Sequence, residues 1–296
     1  MKQLTIITLL SVLFLTACEK DISIQMPQYT NRVSIQCGLE VGTVPKVFFY
    51  STVPYFDITS LREAFVNGAN VKISNATETD SLIKDSTYNY LKCEFEYYYQ
   101  GNTPVKANQD YQLTIVSKGE TYKATTKTNL VPVTIDSVGY TQQFSDIYGE
   151  HEGVIPYFHD NTNLTNYYRY EMKRDIDTTM KYREGKIYSP CIGSGKVTVL
   201  ELGRSVYSNL NLSNSQIKIV IEPAYSHTAG MVGIVRIQTI DKVTFDFFDQ
   251  LDKQKLGQTN PFVEPLFLID GQFGKKAVGY FGSIIRSTPV QFVFPE

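Results

Sequence analysis

Tryptophan is absent from this 296-residue chain, histidine occurs three times and cysteine four times. After the first 18 residues, no apolar run approaches the ~20 residues that a membrane-spanning helix needs. Neither sign of charge dominates, with 28 basic against 30 acidic side chains. Each shortage removes a class of protein. Balanced charge excludes a strongly basic nucleic-acid binder. The missing tryptophan argues against a dedicated sugar-stacking platform. His151, His159 and His227 form no His-Glu-x-x-His pair, so a zinc hydrolase of that type is not indicated. No repeat or low-complexity tract occurs, and 42% apolar content excludes a disordered chain.

What is abundant is aromatic. Twenty-one tyrosines and 17 phenylalanines accompany β-branched residues and scattered glycine and proline, the composition of a mainly β protein. The length allows two domains. We expect an N-terminal β-sandwich of the immunoglobulin or transthyretin type over residues 31–130, then a second antiparallel β domain with one short helix over 131–296. In the first half, strands are expected at Arg32–Val41, Lys46–Val53, Ala69–Ser74 and Tyr88–Tyr97, with a hairpin of Tyr111–Val116 and Thr121–Thr126 about Ser117–Glu120. Ser60-Leu-Arg-Glu63 is a capping box that starts a short helix running towards Val66 and stopping at Asn67-Gly68. In the second half, strands are expected at Tyr167–Arg174, Lys196–Leu202, Gln216–Glu222, Val232–Ile240 and Val290–Phe294. Val243, Phe247, Phe248 and Leu251 recur at helical spacing, with Asp246, Asp249, Asp252 and Lys253 on the solvated face. Segments 141–165 and 175–195 are polar and are expected as long loops. Gly271, Gly274, Gly279 and Gly282 are expected to make turns or bulges around Phe281.

The first 18 residues carry the strongest signal. Lys2 precedes an apolar run from Leu4 to Phe14, too short to span a membrane and suited to a secretory leader. Leu15-Thr-Ala-Cys18 is similar to a bacterial lipobox, whose cysteine is acylated once the upstream peptide is removed. The expected organisation is therefore a leader at 1–17 and a polar tether at 18–30 ahead of the folded part. Acyl chains, palmitate among them, bury at about 0.8 kcal/mol per CH₂, so several on Cys18 would hold the protein stably on an outer membrane. Glu19-Lys-Asp21 is similar to an export signal for surface display, and both membrane faces stay open. Of the remaining cysteines, Cys37 and Cys93 lie in strand-like segments and are the candidate disulfide, with Cys191 left alone in a glycine-rich stretch. Consecutive tyrosines on a strand point to opposite faces, which makes Tyr98 and Tyr168 candidate ligand or partner contacts.

Several landmarks come in a particular order. After Cys18 come Val33-Ser-Ile-Gln-Cys-Gly38, Gly68-Ala-Asn-Val-Lys-Ile73 and Asp110-Tyr-Gln-Leu-Thr-Ile115. Gly119-Glu-Thr-Tyr122, Pro132-Val-Thr-Ile-Asp-Ser-Val138, Thr259-Asn-Pro-Phe-Val-Glu-Pro265 and Val278-Gly-Tyr-Phe-Gly282 follow. Together they resemble a Bacteroidota lipoprotein family known as domain of unknown function 4249, over nearly the whole mature chain. Leu268-Ile-Asp-Gly271 departs from the Ser-Asn-Ile stretch usual before the last motif. The resemblance implies an accessory role beside a TonB-dependent outer-membrane receptor in nutrient capture, and it brings no catalytic residues.

The residues themselves point to no catalyst, metal or cofactor. Cys191–Thr198 fails as a phosphate loop because Pro190 stands where the first glycine is needed and Val197 follows Lys196. Gly193-Ser-Gly195 is not a nucleophile elbow, and Ser81-Leu-Ile-Lys84 lacks its companion signatures. The expected function is a lipid-anchored, non-enzymatic envelope protein that assists ligand capture by a TonB-dependent transporter. The alternatives are a pilin-like structural subunit, matured by cleavage at Arg32, and a surface hydrolase.

Overall fold

Ile35, Cys37 and Leu39 alternate into the interior along Val33–Glu40 (β1), while Ser34, Gln36 and Gly38 take the other face. β1 pairs antiparallel with Lys46–Ser51 (β2), placing Val33 opposite Ser51. This is the period of two that a pleated strand imposes. The computed structural model describes residues 30–54, 57, 59–146, 149–160, 164–177, 181–182, 185–186, 191, 195–210, 216–259 and 270–296. Asn31–Glu296 forms one compact unit, and residues up to Thr30 fall outside it.

The capping box forms as expected. The Ser60 hydroxyl accepts from the Glu63 amide at 3.3 Å, and the Glu63 carboxylate accepts from the Ser60 amide at 3.1 Å. The helix is shorter than expected, Leu61–Ala64, because Phe65 turns extended and takes its ring into the core against Tyr50, Tyr97 and Tyr99. Asn70–Ser74 (β3), Thr79–Asn89 (β4), Glu94–Gln100 (β5), Asp110–Ser117 (β6) and Glu120–Lys127 (β7) follow. The expected single strand Tyr88–Tyr97 is in fact a hairpin, folded at Tyr90–Cys93 between β4 and β5. Between β6 and β7, Lys118 and Gly119 both take positive φ (51° and 81°), the geometry of a two-residue turn matched to strand twist.

In the second half, Thr134–Asp146 (β8) and Gly149–His159 (β9) form a long hairpin where loop was expected across 141–165. Ile135, Val154, Ile155 and Phe158 are among its buried residues, and two register shifts break the alternation that would have marked it. Tyr167–Asp177 (β10) is followed by the two-residue strands Lys181–Tyr182 (β11) and Gly185–Lys186 (β12), which also fall in an expected loop. Then come Lys196–Ser208 (β13), Gln216–Lys218 (β14) and Val232–Ile240 (β15), the last with the expected bounds. The long helix Lys242–Thr259 leads on to Ala277–Arg286 (β16) and Val290–Val293 (β17).

Of the four glycines expected to make turns or bulges, Gly271 and Gly274 do bracket a turn, the Gly274 amide donating to the Gly271 carbonyl at 3.1 Å, whereas Gly279 and Gly282 lie in β16, where the structure corrects the expectation. β16 is a continuous strand, paired in parallel with β1 over eight residues from Val33–Ala277 to Glu40–Ile284. Gly279 sits at φ 127°, and a Cβ there would lie 1.8 Å from the Ile35 carbonyl oxygen. A Cβ on Gly282 would meet Thr244 Oγ1 at 2.0 Å and Asp241 Oδ1 at 2.6 Å. The glycines admit close neighbours to a strand.

The main sheet runs β13-β10-β15-β16-β1-β2-β5-β4-β3-β6-β7, with β17 beside β15, and a second sheet runs β14-β9-β8. The fold is mainly β, and its β1–β16 pair is parallel. Two buried clusters divide near residue 130. One holds Ile35, Phe49, Leu113 and Ile115; the other holds Val154, Tyr170, Met172 and Phe294. Ala277 and Phe281 belong to the first cluster although they lie late in the chain, so β16 carries the sheet across that boundary.

Asp241 secures this crossing. One carboxylate oxygen accepts from the Thr244 amide at 2.9 Å, capping the long helix. The other accepts from the Ser283 amide of β16 (2.9 Å) and the Thr126 hydroxyl of β7 (2.8 Å). Asp241→Ala leaves a cap and two partly buried donors unmet, so a loss of about 2–4 kcal/mol is expected in urea unfolding, with an unchanged m-value.

Candidate functional site

The residues singled out from sequence divide sharply. Cys18 lies outside the described residues. Tyr98 and Tyr168 are 4% and 1% exposed, so neither is the surface contact that was expected. Tyr98 lies against Phe48 and under the Lys46 ammonium, 4.2 Å from its ring centroid, with its hydroxyl 2.8 Å from that of Thr87. Tyr168 packs edge-on against Phe158 in the second core, and burial pushes its phenol pKa upward, helped by the Asp160 carboxylate. Alternation misleads here because both faces of these strands are covered at Tyr98 and Tyr168. Tyr99, beside Tyr98, fills the first core, while Tyr167, beside Tyr168, packs on Phe245 of the long helix.

The expected Cys37–Cys93 disulfide is also corrected. Cys93 pairs with Cys191, and Cys37 is a free thiol buried on β1, its pKa raised by burial. The physical reason is the hairpin. Cys93 is a turn residue at φ 59°, not a strand residue, and this removes it from the ladder that would face β1.

All three histidines pair with carboxylates. His151 meets Glu222 at 2.8 Å, His159 meets Asp136 at 2.7 Å, and His227 meets Glu152 at 3.0 Å, where the Tyr140 hydroxyl also donates. His227 stacks on Phe294, and a buried Arg174–Glu201 pair holds the backbone of the preceding Ala224–Ser226. These groups fasten β8, β9 and the 221–227 segment together. On the long helix, Asp246 and Asp249 pair with Lys242 and Lys253. Asp252 is pushed up to about 6 by burial, against the lowering pull of Lys255 and Arg169. Among the described residues, no group of three or more His, Cys, Asp or Glu is placed to hold a metal ion.

The surface that remains is the outer face of β13, β10, β15 and β17. Along β10, Tyr168, Tyr170, Met172 and Arg174 point inward, leaving Tyr167, Arg169, Glu171 and Lys173 outward. The long helix covers the first part of this face, with Phe248 stacked 3.8 Å from the Arg169 guanidinium and 5.3 Å from Tyr280. Burial there lowers the Arg169 pKa. Next along the strand comes a buried carboxylate, Glu171. It accepts from Arg286 Nε at 2.7 Å and Gln238 Nε2 at 2.5 Å, and Arg286 also reaches Glu40 of β1. Burial opposes the charge on Arg286, but Glu40 and Glu171 outweigh it and raise its pKa. This network ties β10, β15, β16 and β1 together.

Beyond Glu171 the face is open and sets apolar side chains around Lys173 and Gln291. Leu202 lies opposite Glu171, Leu200 and Ile234 flank Lys173, and Val232 lies opposite Val293. Leu200 is 51% exposed, with Val293, Val232 and Leu202 comparably open. Four strands at about 4.8 Å spacing make a flat platform about 14 Å across. β13 shows the inversion directly, since Glu201 points into the core while its neighbours Leu200 and Leu202 face water. That inversion, in Val197-Thr-Val-Leu-Glu-Leu202, is the sequence signal that the expectations missed. At the opposite edge of the main sheet, Asn75, Tyr111, Gln112 and Lys127 line a shallow groove of about 640 Å³.

Fold and surface together define a mainly β protein with one large sheet, a second, small sheet and a long helix. The chain belongs to the family described as Domain of unknown function (DUF4249), whose model matches residues 19–288. Comparison with curated proteins returns no match.

Proposed function

We propose that this chain is a lipid-anchored, non-enzymatic lipoprotein of the outer membrane that docks on a TonB-dependent transporter and assists its capture of a nutrient. The observation that carries this reading is Leu15-Thr-Ala-Cys18 behind a short apolar leader. Two further facts support it. The family match opens at residue 19, directly after Cys18. A Cys93–Cys191 disulfide suits an oxidising compartment outside the cytoplasm. The accessory role follows from the family resemblance, and the Leu200–Val293 platform is the surface assigned to the docking.

Affinity purification of the lipoprotein from detergent-extracted membranes tests the reading. The wild type is expected to bring down an outer-membrane transporter. Leu200→Arg combined with Val293→Arg is expected to reduce recovery about ten-fold or more, the loss of roughly 1.4 kcal/mol or more of interface energy, with an unchanged melting temperature. A monomeric wild-type preparation free of any transporter would contradict the proposal.

A further inference from the structure

The β4–β5 hairpin has two unlike faces, and its register settles which residues share them. Lys84, Ser86 and Tyr88 stand with Phe95, Tyr97 and Tyr99 on one face; Asp85, Thr87 and Asn89 stand with Glu94, Glu96 and Tyr98 on the other. The aromatic face is a continuous chain of rings. Tyr99 is stacked on Phe65 in the core, Phe65 meets Tyr97 at 5.5 Å, Tyr97 meets Phe95 at 6.3 Å, and Tyr88 meets both Phe95 (5.0 Å) and Tyr90 (4.9 Å). Exposure rises along the row, from buried Tyr99 to Phe95 at 48% and Tyr90 at 57%. Lys92 stands exposed in the turn beside Tyr90 and pairs with the Glu96 carboxylate at 3.4 Å. The disulfide at Cys93 holds the same turn to Cys191.

Register also fixes which way the hairpin points. β1 begins at Val33, opposite Ser51 at the end of β2. β2 pairs with β5 through Lys46–Gln100 and Val47–Tyr99, so the start of β5 lies toward the Ser51 end. The Tyr90–Cys93 turn therefore projects from the end of the sheet at which the chain enters, about 10–15 Å beyond the level of Val33 at ~3.4 Å per residue. Thr30 follows Cys18 by twelve residues, and twelve residues reach at most about 40 Å. An acylated Cys18 would keep the bilayer within about 40 Å of Thr30.

We infer that the Tyr90–Phe95 tip is a membrane contact that rests in the lipid interface beside the acyl anchor and sets how the folded body stands on the bilayer. The inference rests on the lipid anchoring proposed above. Its chemistry is that of an interfacial anchor: amphipathic and apolar rings at headgroup level. The exposed end of the aromatic row and the start of the tether lie at the same end of the sheet, which is what such a contact requires.

The absence of tryptophan makes the test direct, because an introduced tryptophan is the sole indole in the chain. The full acylated chain is reconstituted in vesicles of phosphatidylethanolamine and phosphatidylglycerol whose acyl chains are brominated near the headgroup. Tyr90→Trp is expected to shift its emission to shorter wavelength and to lose most of its intensity. Phe95→Trp is expected to behave likewise, which guards against a folding defect in one variant. Ala76→Trp, in the turn at the other end of β4, is expected to emit as in water without quenching. Flotation of the same vesicles separates the two claims. If the Tyr90→Trp and Phe95→Trp proteins float while their indole emission stays unquenched, the membrane contact is overturned and the anchor stands. Protein that fails to float overturns the anchor and the inference with it.

Discussion

Gly279→Ala is expected to be the most damaging single-methyl change in the molecule. The new Cβ would lie 1.8 Å from the Ile35 carbonyl oxygen, and the residue would be held at φ 127°, a region L residues rarely enter. The obstacle is the backbone of the paired strand, which cannot rotate aside as a side chain does. Strain at such a φ costs about 1–3 kcal/mol and overpacking a similar amount, so a total near 4 kcal/mol or above is a large part of a typical stability of roughly 5–15 kcal/mol. A fall in melting temperature of about 10 °C or more, or loss of soluble protein, is expected by circular dichroism. Gly271→Ala is the control. There the added methyl meets its nearest neighbour at 3.5 Å, an ordinary contact, and melting should change little. If Gly279→Ala melts with the wild type, the parallel pairing of β1 with β16 is wrong.

The second large effect is that of the disulfide. Cys93 and Cys191 are 98 residues apart, and closing a loop of that size removes unfolded-state entropy equivalent to about 4–5 kcal/mol. Cys191→Ser is therefore expected to lower the melting temperature by about 10 °C, and reductant should do the same to the wild type. The discriminating comparison is with Cys37→Ala. Reductant should still destabilise that variant and should have no effect on Cys191→Ser. The opposite pattern would restore the Cys37–Cys93 pairing that strand position alone favours.

These expectations draw on features of very unequal visibility in the sequence. Where local chemistry decides, the residues are legible. Ser60 and Glu63 form the capping box, Lys118-Gly119 makes the tight hairpin turn, and Phe247 and Phe248 mark the buried face of the long helix. Val232–Ile240 is apolar enough on both faces to be bounded correctly. Where tertiary context decides, they are not. The turn at Tyr90–Cys93 contains no glycine or proline, so the hairpin reads as one strand, and both Tyr98 and the cysteine pairing are misplaced with it. β8 and β9 are hidden by solvent-facing polar residues and by bulges that interrupt the alternation. Gly279 and Gly282 carry the signature of turns because a strand that needs close approach uses the same residue for a different reason.

The candidate surfaces are the least legible features of all. Leu200, Lys173, Ile234 and Gln291 come from four strands and become neighbours only through the ladders that join them. Glu171 is ordinary in sequence and becomes the centre of a buried charge network only once Arg286 and Gln238 are brought beside it. These surfaces are set by register, which periodicity within one strand does not encode.

Everything proposed about docking and orientation depends on the attachment at Cys18. Mass spectrometry of the N-terminal peptide from the membrane-extracted protein measures it directly. The account predicts a chain that begins at Cys18 and carries the added mass of several acyl chains. A chain that retains residues 1–17, or that begins at an unmodified residue and is recovered without membranes, would contradict it.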